Sequence, residues 1–184
     1  RLAESLGTDR AVMLYREWIG TVLTTVQSVR DRTRVVACYD GAPLEAFSAW
    51  HALADAWWQQ PDGDLGDRLA AAFQAWHAPD HAAVVIGTDC LDLGEDHLEA
   101  AFAKLASHDV VFGPAFDGGY YLAGLARPLP GFFCGIPWST STTLAAHEAK
   151  CARHGWSFGR LAALGDIDTA DDWADYERRS GATS

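Results

Sequence analysis

A chain of 184 residues with 49% hydrophobic and 21% charged residues has an ordinary globular composition and enough length for one hydrophobic core. Its formal net charge of −11 and sequence pI near 4.9 argue against a surface that follows nucleic-acid phosphates, because such a surface needs a basic stripe. We therefore predict a single domain over residues 1–184 that binds no nucleic acid.

The first half of the chain predicts helices that alternate with a strand. Apolar residues recur at three- and four-residue steps over 9–29, which is typical of a helix with one buried face. Residues 34–39 are rich in β-branched side chains and predict a strand, and the Ala- and Trp-rich stretch 44–58 predicts a second helix. After the turn QQPDGD comes a third helix, which the Asp64 carboxylate could cap.

The second half continues the alternation. Residues 82–86 form a fully apolar strand of the kind that is buried on both faces in parallel sheets. Residues 98–105 predict a helix, 110–112 a strand, and 120–125 a further strand that could run antiparallel. Strands and helices at this spacing predict βαβ units around a mostly parallel sheet.

Acidic residues follow three of the predicted strands. Asp40, Asp89 and Asp117 each come just after a strand, and open α/β sheets bind ligands at the carboxyl ends of their strands. Asp and Gly are also common turn formers, so any one of these residues alone would more often be a turn residue. Their joint occurrence favours one shared crevice.

Two features bear on the cellular compartment. The cysteines Cys38, Cys90, Cys134 and Cys151 form no C-x-x-C pair, which favours reduced thiols over a disulfide framework. No stretch approaches the roughly 20 apolar residues that a membrane helix needs. We expect a cytoplasmic protein with no membrane partner.

Six motifs in order resemble a known family: RLAESLG, GDLGDR, VVIGTDC, GPAFDGGYYLAGL, IPWSTSTT and DIDTADDW. The family comprises bacterial GT-A-like transferases, largely uncharacterised and often described as glycosyltransferases linked to radical-SAM systems. It is related in fold to the molybdopterin and phospholactate guanylyltransferases. The resemblance implies a three-layer α/β fold of the nucleotide-diphospho-sugar-transferase type, with a mostly parallel sheet and helices on both faces.

The family begins with a strand and a loop of the form P-G-x-x-K-T-R-L, whose basic residues are expected to hold the phosphates of a nucleotide. This chain starts at R-L, so we expect its sheet to lack the N-terminal strand, with Arg1 as the remnant of the nucleotide-binding loop.

By the same resemblance, Asp89 ligates a divalent cation and Asp168 completes the metal site, with Asp166 as the second choice. Carboxylate oxygens suit Mg²⁺ or Mn²⁺, which bridge to phosphate oxygens and waters. An acidic protein could thus obtain its phosphate affinity from a metal ion. The competing interpretation of Asp168 is a helix N-cap, since TADDW follows it.

Asp117 is the predicted catalytic residue, which would orient or deprotonate the hydroxyl of an acceptor. Gly118 and Gly119 would let a ligand approach the backbone. The alternative is a plain turn in which D-G-G supplies positive φ angles. Tyr120, Trp138 and Ser139 complete the predicted acceptor side, although Trp138 is as readily a core residue.

The turn and helix start at residues 63–68 are the predicted nucleotide-binding segment besides Arg1. Asp64, Gly66 and Arg68 lie there, with backbone amides and a guanidinium that could face the donor's phosphates. The alternative is a capped helix with a surface ion pair, which stabilises little.

The sequence carries no G-x-S-x-G elbow, Walker A loop or G-x-G-x-x-G after a strand. We predict a metal-dependent transferase with a nucleotide or nucleotide-sugar donor and a small-molecule acceptor, performing glycosyl or nucleotidyl transfer. The alternative is a catalytically weak nucleotide-binding or interaction module that retains the fold.

Overall fold

The structure is a computed structural model that describes residues 2–181. Its helices are α1 (Leu2–Leu6), α2 (Thr8–Thr25), α3 (Leu65–Trp76), α4 (Glu95–Leu105), α5 (Thr143–His154) and α6 (Ala170–Gly181), and 3-10 turns cover Val26–Val29 and Leu44–Leu53. Its strands are β1 (Val36–Tyr39), β2 (Ala56–Gln59), β3 (Ala83–Ile86), β4 (Val110–Pro114), β5 (Tyr120–Leu125) and β6 (Phe158–Arg160). None of the helices in residues 2–181 has the length and apolar character needed to cross a membrane.

The strands form two sheets. β1 and β2 pair in parallel, and a four-stranded sheet has the order β3-β5-β4-β6. β5 is antiparallel to both β3 and β4, which confirms the antiparallel orientation considered for residues 120–125. β3 and β4 therefore run in the same direction, and their carboxyl ends lie at one edge of the sheet.

The prediction that the apolar strand 82–86 is buried on both faces is wrong. β3 pairs only with the antiparallel β5, and its four residues are half-buried instead of enclosed on both faces. Within residues 2–181, β1 and β3 each have one edge that pairs with no strand.

The core lies on both faces of the four-stranded sheet. Because side chains alternate along a strand, Val111 packs toward Leu98 and Ala101 of α4, whereas Phe112 packs with Leu144 of α5 on the opposite face. Helix, sheet and helix thus form the three layers that an α/β fold requires.

The helix predicted over 44–58 is confirmed only over Leu44–Leu53, as a 3-10 helix, and is wrong beyond it. A 3-10 segment ends at Leu53, and Trp57 and Trp58 lie in β2, opposite Ala37 and Cys38 of β1. Asp55 fixes this arrangement, since its carboxylate accepts the Val35 amide at 2.8 Å and pairs with Arg30 at 2.7 Å. Pairing between strands distant in sequence overrides the local helical pattern.

Candidate functional site

Two of the acidic turns meet in one cleft at the carboxyl edge of the sheet. Asp89 follows β3 and Asp117 follows β4, and both side chains line a cleft of about 280 Å³. The other lining residues are Leu65, Ala115, Gly119, Tyr120, Tyr121, Trp138, Ser139, Thr140, Thr143, Asp166 and Asp168. The cleft thus brings together Asp89, Asp117, Asp168, Gly119, Tyr120, Trp138 and Ser139 from the predicted site.

Asp89 is held by its own turn and by a distant segment. A Cβ built on Gly87 would lie 2.5 Å from Asp89 Oδ1, so the carboxylate occupies the space that a side chain at position 87 would need. The Ile167 amide donates to the Asp89 carbonyl at 2.9 Å. This hydrogen bond lays residues 166–168 beside the turn that carries Asp89.

Asp168 is not the N-cap of α6. Thr169 Oγ1 accepts the Asp172 amide at 3.2 Å, while Asp172 Oδ2 accepts the Thr169 amide at 2.8 Å. This reciprocal pair is a capping box with Thr169 as the cap. The structure therefore removes the competing interpretation of Asp168, whose side chain lines the cleft beside Asp89 and Asp166.

Two of the cleft aspartates, Asp89 and Asp166, have a raised proton affinity. Burial raises the pKa of Asp89 above its ordinary value, and the charges of Asp168 and Asp117 raise it further. Burial also raises the pKa of Asp166, with Asp117, Asp89 and Asp168 adding to the effect. Clustered negative charge of this kind is relieved by a bound cation or by protonation.

The oxygen chemistry of the cleft fits a hard divalent cation that keeps most of its other ligands from substrate and water. Among residues 2–181, no group of three or more His, Cys, Asp or Glu side chains is arranged to hold a metal ion by itself. Asp89 and Asp168, with Asp166 next to them, could contribute a partial ligand set.

Asp117 faces the cleft and also stabilises its own turn. Its Oδ1 accepts the Gly119 amide at 2.7 Å, yet its charge acts on Asp89 and Asp166 across the cleft. Gly118 has φ of +91°, and a Cβ there would lie 2.1 Å from the Ser141 carbonyl oxygen. The close approach that Gly118 permits is therefore to the protein's own backbone, contrary to its predicted role of admitting a ligand.

The aromatic wall consists of Tyr120 and Trp138. Their rings pack edge to face with centroids 6.3 Å apart, and Trp138 also packs at 5.5 Å on the buried His147. Trp138 thus serves both the core and the cleft. The Tyr120 hydroxyl is buried without a hydrogen-bond partner in the described structure, and burial raises its pKa. Ser139 is exposed at the rim with φ of 57°.

The segment at the start of α3 forms a capped helix with an ion pair, which was the alternative to a nucleotide-binding segment. Asp64 forms a capping box with Asp67, which confirms the predicted cap. Gly66 packs against Trp138, since a Cβ there would lie 2.2 Å from Trp138 Nε1. Arg68 Nη1 pairs with Asp40 at 2.5 Å and does not line the cleft. Nucleotide binding by these residues remains a prediction.

Asp40 does not join Asp89 and Asp117 in the cleft, which corrects the prediction that all three converge. It lies at the end of β1, in the separate two-stranded sheet. Its hydrogen bond with Arg68, followed by that with the Gly41 amide, holds the pKa of the Asp40 carboxyl below its usual range.

A second cleft shares Asp89 and Asp168 with the first cleft. It has a volume of about 250 Å³ and is lined by Leu2, Tyr15, Trp18, Asp89, Ile167 and Asp168. The Tyr15 hydroxyl forms a 2.8 Å hydrogen bond with Thr88 Oγ1. This contact has no sequence signal beyond the periodicity of α2. The predicted nucleotide-binding residue Arg1 lies outside the described residues.

Comparisons with known proteins agree with this architecture. The model of a family described as "Uncharacterized protein conserved in bacteria (DUF2064)" matches residues 22–140. Among the 15 solved chains that match, one is the crystal structure of a candidate nucleotide-diphospho-sugar transferase from Desulfovibrio desulfuricans G20. Its TM-score is 0.84 at 31% identity, over 97% of this chain and 79% of that chain. No curated protein matches. The α/β fold of the nucleotide-diphospho-sugar-transferase type is thereby shown.

Proposed function

Because the chain belongs to the DUF2064 family and has this transferase-type fold, we propose that it is a metal-dependent transferase that uses a nucleotide-activated donor. The observation that carries the proposal is the convergence of Asp89, Asp166 and Asp168 with Asp117 in one cleft. The donor is a nucleotide sugar or a nucleoside triphosphate, and the acceptor is a small molecule with a hydroxyl group.

Asp89 and Asp168 would hold Mg²⁺ or Mn²⁺. Such an ion, when bound, neutralises the charge that builds on a leaving diphosphate. The pKa of Asp89 is raised first by burial and then by neighbouring carboxylates, so a bound cation would favour the charged form of this group. Cation binding and deprotonation of the cleft are therefore coupled.

Asp117 would act on the acceptor. Its Oδ1 accepts a 2.7 Å hydrogen bond from the Gly119 amide, which fixes the orientation of the carboxylate. The other oxygen is available to accept a hydrogen bond from the attacking hydroxyl and to take its proton. Because Asp117 and Asp89 line the same cleft, the acceptor hydroxyl and the donor would meet there.

One observation favours the alternative of a catalytically weak nucleotide-binding or interaction module that retains the fold. None of the described residues that line the cleft is Lys or Arg, and Arg68, the predicted phosphate ligand, is paired with Asp40. Without a cation, this acidic surface would repel phosphates.

Thermal denaturation with a panel of nucleotides and nucleotide sugars, with and without Mn²⁺, tests the proposal. A donor at 100 times its dissociation constant stabilises by about 2.7 kcal/mol, which raises Tm by about 5–10 °C. We expect this shift only with Mn²⁺ present. A shift of the same size in EDTA would indicate the module without metal chemistry, and no shift with any compound would contradict nucleotide binding altogether.

A further inference from the structure

The two clefts meet at a pair of carboxylates. Asp89 and Asp168 line both clefts, whereas Asp117 lines only the first. A cation held by Asp89 and Asp168 would therefore lie at the junction, and a ligand bound to that cation can extend into each cleft. The other residues that line the second cleft are Leu2, Tyr15, Trp18 and Ile167. Apart from the shared carboxylates, the second cleft is thus apolar and aromatic.

Tyr15 offers an accessible aromatic ring in the second cleft. It is 46% exposed, and its ring packs edge to face with that of Trp18, with centroids 6.0 Å apart. Its hydroxyl forms a 2.8 Å hydrogen bond with Thr88 Oγ1, and Thr88 directly precedes Asp89. The ring is therefore held on one side by Trp18 and at its hydroxyl by the turn that carries Asp89.

The other apolar residues of the second cleft are packed against two helices and this turn. Trp18 of α2 is 2% exposed and packs on Trp173 of α6, with ring centroids 5.6 Å apart. Ile167 is also buried, and its amide donates to the Asp89 carbonyl at 2.9 Å. The apolar surface beside the carboxylates is therefore preformed, so a flat ring can bind there at little cost in ordering the protein.

A nucleotide-sugar donor has two ends on either side of its diphosphate, the sugar and the nucleoside. The diphosphate would bind the cation at the junction of the clefts. The first cleft carries Asp117, which would act on the acceptor, so the sugar must enter that cleft. The nucleoside then extends into the second cleft. Stacking on an aromatic side chain is favourable for every base, and Tyr15 supplies such a ring there.

We propose that the second cleft binds the nucleobase of a nucleotide-sugar donor, stacked on the Tyr15 ring, while the sugar enters the first cleft. The proposal rests on the proposed function for the identity of the donor. It makes Tyr15 a donor-binding residue that contacts neither the cation nor the acceptor.

Isothermal titration of the full chain with Mn²⁺ and either pyrophosphate or a nucleoside diphosphate (UDP, GDP, ADP or CDP) tests this idea. All of these ligands present a diphosphate to the cation, but pyrophosphate lacks the nucleoside. We expect the parent protein to bind at least one nucleoside diphosphate more tightly than pyrophosphate. Tyr15→Ala should weaken binding of that nucleotide at least about fivefold, the smallest loss expected when one base–aromatic stack is removed. The same variant should bind pyrophosphate as the parent protein does.

Control variants separate the Tyr15 ring from its hydrogen bond and from the rest of α2. Tyr15→Phe keeps the ring and loses the hydrogen bond with Thr88, so it should retain most of the preference for the nucleotide. Met13 is 61% exposed on the same helix and lines neither cleft, so Met13→Ala should bind both ligands as the parent protein does. Urea unfolding checks the fold of each variant. Tyr15→Leu, which keeps apolar volume without an aromatic ring, replaces Tyr15→Ala if alanine unfolds the protein.

Unchanged nucleotide affinity in Tyr15→Ala would overturn the proposal. So would an equal loss of nucleotide and pyrophosphate affinity, because Tyr15 would then act on the cation site through Thr88. If the parent protein binds pyrophosphate with Mn²⁺ but binds no nucleoside diphosphate more tightly, the base site fails while the cation chemistry of the proposed function stands. Absence of Mn²⁺-dependent binding for every ligand would contradict both.

Discussion

Replacing Gly118 with alanine should destabilise the protein strongly, whereas the same change at Gly119 should not. A Cβ at position 118 would lie 2.1 Å from the Ser141 carbonyl oxygen, 2.6 Å from its carbon and 2.8 Å from Cα. Ordinary contact needs about 3.4 Å, and these are backbone atoms that no side-chain rotation can move away. The segment that carries Ser139 would have to shift by more than about an ångström.

The expected cost follows from two terms. The φ of +91° at Gly118 is unfavourable for alanine by about 1–2 kcal/mol. Overpacking against a fixed neighbour adds about 1–3 kcal/mol. Gly118→Ala should therefore lose about 2–5 kcal/mol of unfolding free energy. Gly119 has no positive φ, and its Cβ would meet only the Asp117 side chain at 3.1 Å, so Gly119→Ala should lose about 1 kcal/mol or less.

Urea unfolding of the two variants and the parent protein, followed by circular dichroism, measures both quantities. If Gly118→Ala and Gly119→Ala differ by less than about 0.5 kcal/mol, the packing of Gly118 on the Ser141 backbone would be refuted. The glycine would then regain its predicted role of admitting a ligand.

The remaining predictions concern Asp117, His147 and the cysteines. Asp117→Asn should lower kcat of the transfer reaction more than donor affinity, because its interaction with the hydroxyl is made mainly in the transition state; equal kcat values would contradict this role. Burial lowers the pKa of His147 to about 4, so the unfolded chain binds the proton first as the pH falls. The free energy of unfolding is unaffected by His147 above pH 6.5 and falls by about 3 kcal/mol as the pH falls to 4. His147→Gln should therefore flatten the dependence of the urea-unfolding free energy on pH over that range. A thiol reagent at pH 8 should modify the exposed Cys134 fastest and Cys38 more slowly, since Cys38 is reachable from solvent but the surrounding protein partly desolvates its thiol and raises its pKa. Cys90, whose pKa burial raises to about 12, and the buried Cys151 should react only on unfolding, as mass spectrometry of the labelled chain would show.

The convergence of Asp89 and Asp117 was predictable from sequence because it depends on strand direction. An apolar run followed by an acidic turn marks the carboxyl end of a strand, and β3 and β4 run in the same direction. The cap at Asp64 was predictable for a similar reason, since capping involves only neighbouring residues.

Features that depend on distant contacts were not predictable. The stretch that contains Trp57 and Trp58 has a helical pattern, but pairing with β1 makes it a strand. Arg68 and Asp40 are 28 residues apart, so their ion pair had no local signal. The role of Thr169 as the cap of α6, which leaves Asp168 to the cleft, depends on side-chain hydrogen bonds that either residue could have formed.

The central claim is that Asp89 holds the cation through which a nucleotide binds. Isothermal titration of Mn²⁺ with UDP or GDP into the parent protein, Asp89→Asn and the control Asp62→Asn tests it most directly. Asp62 is exposed and does not line the cleft. Asp89→Asn should stay folded, because it removes a carboxylate that burial and its acidic neighbours already disfavour. We predict Mn²⁺-dependent binding that is weakened at least about tenfold in Asp89→Asn and unchanged in Asp62→Asn. Equal Mn²⁺-dependent affinity in all three proteins would contradict the account.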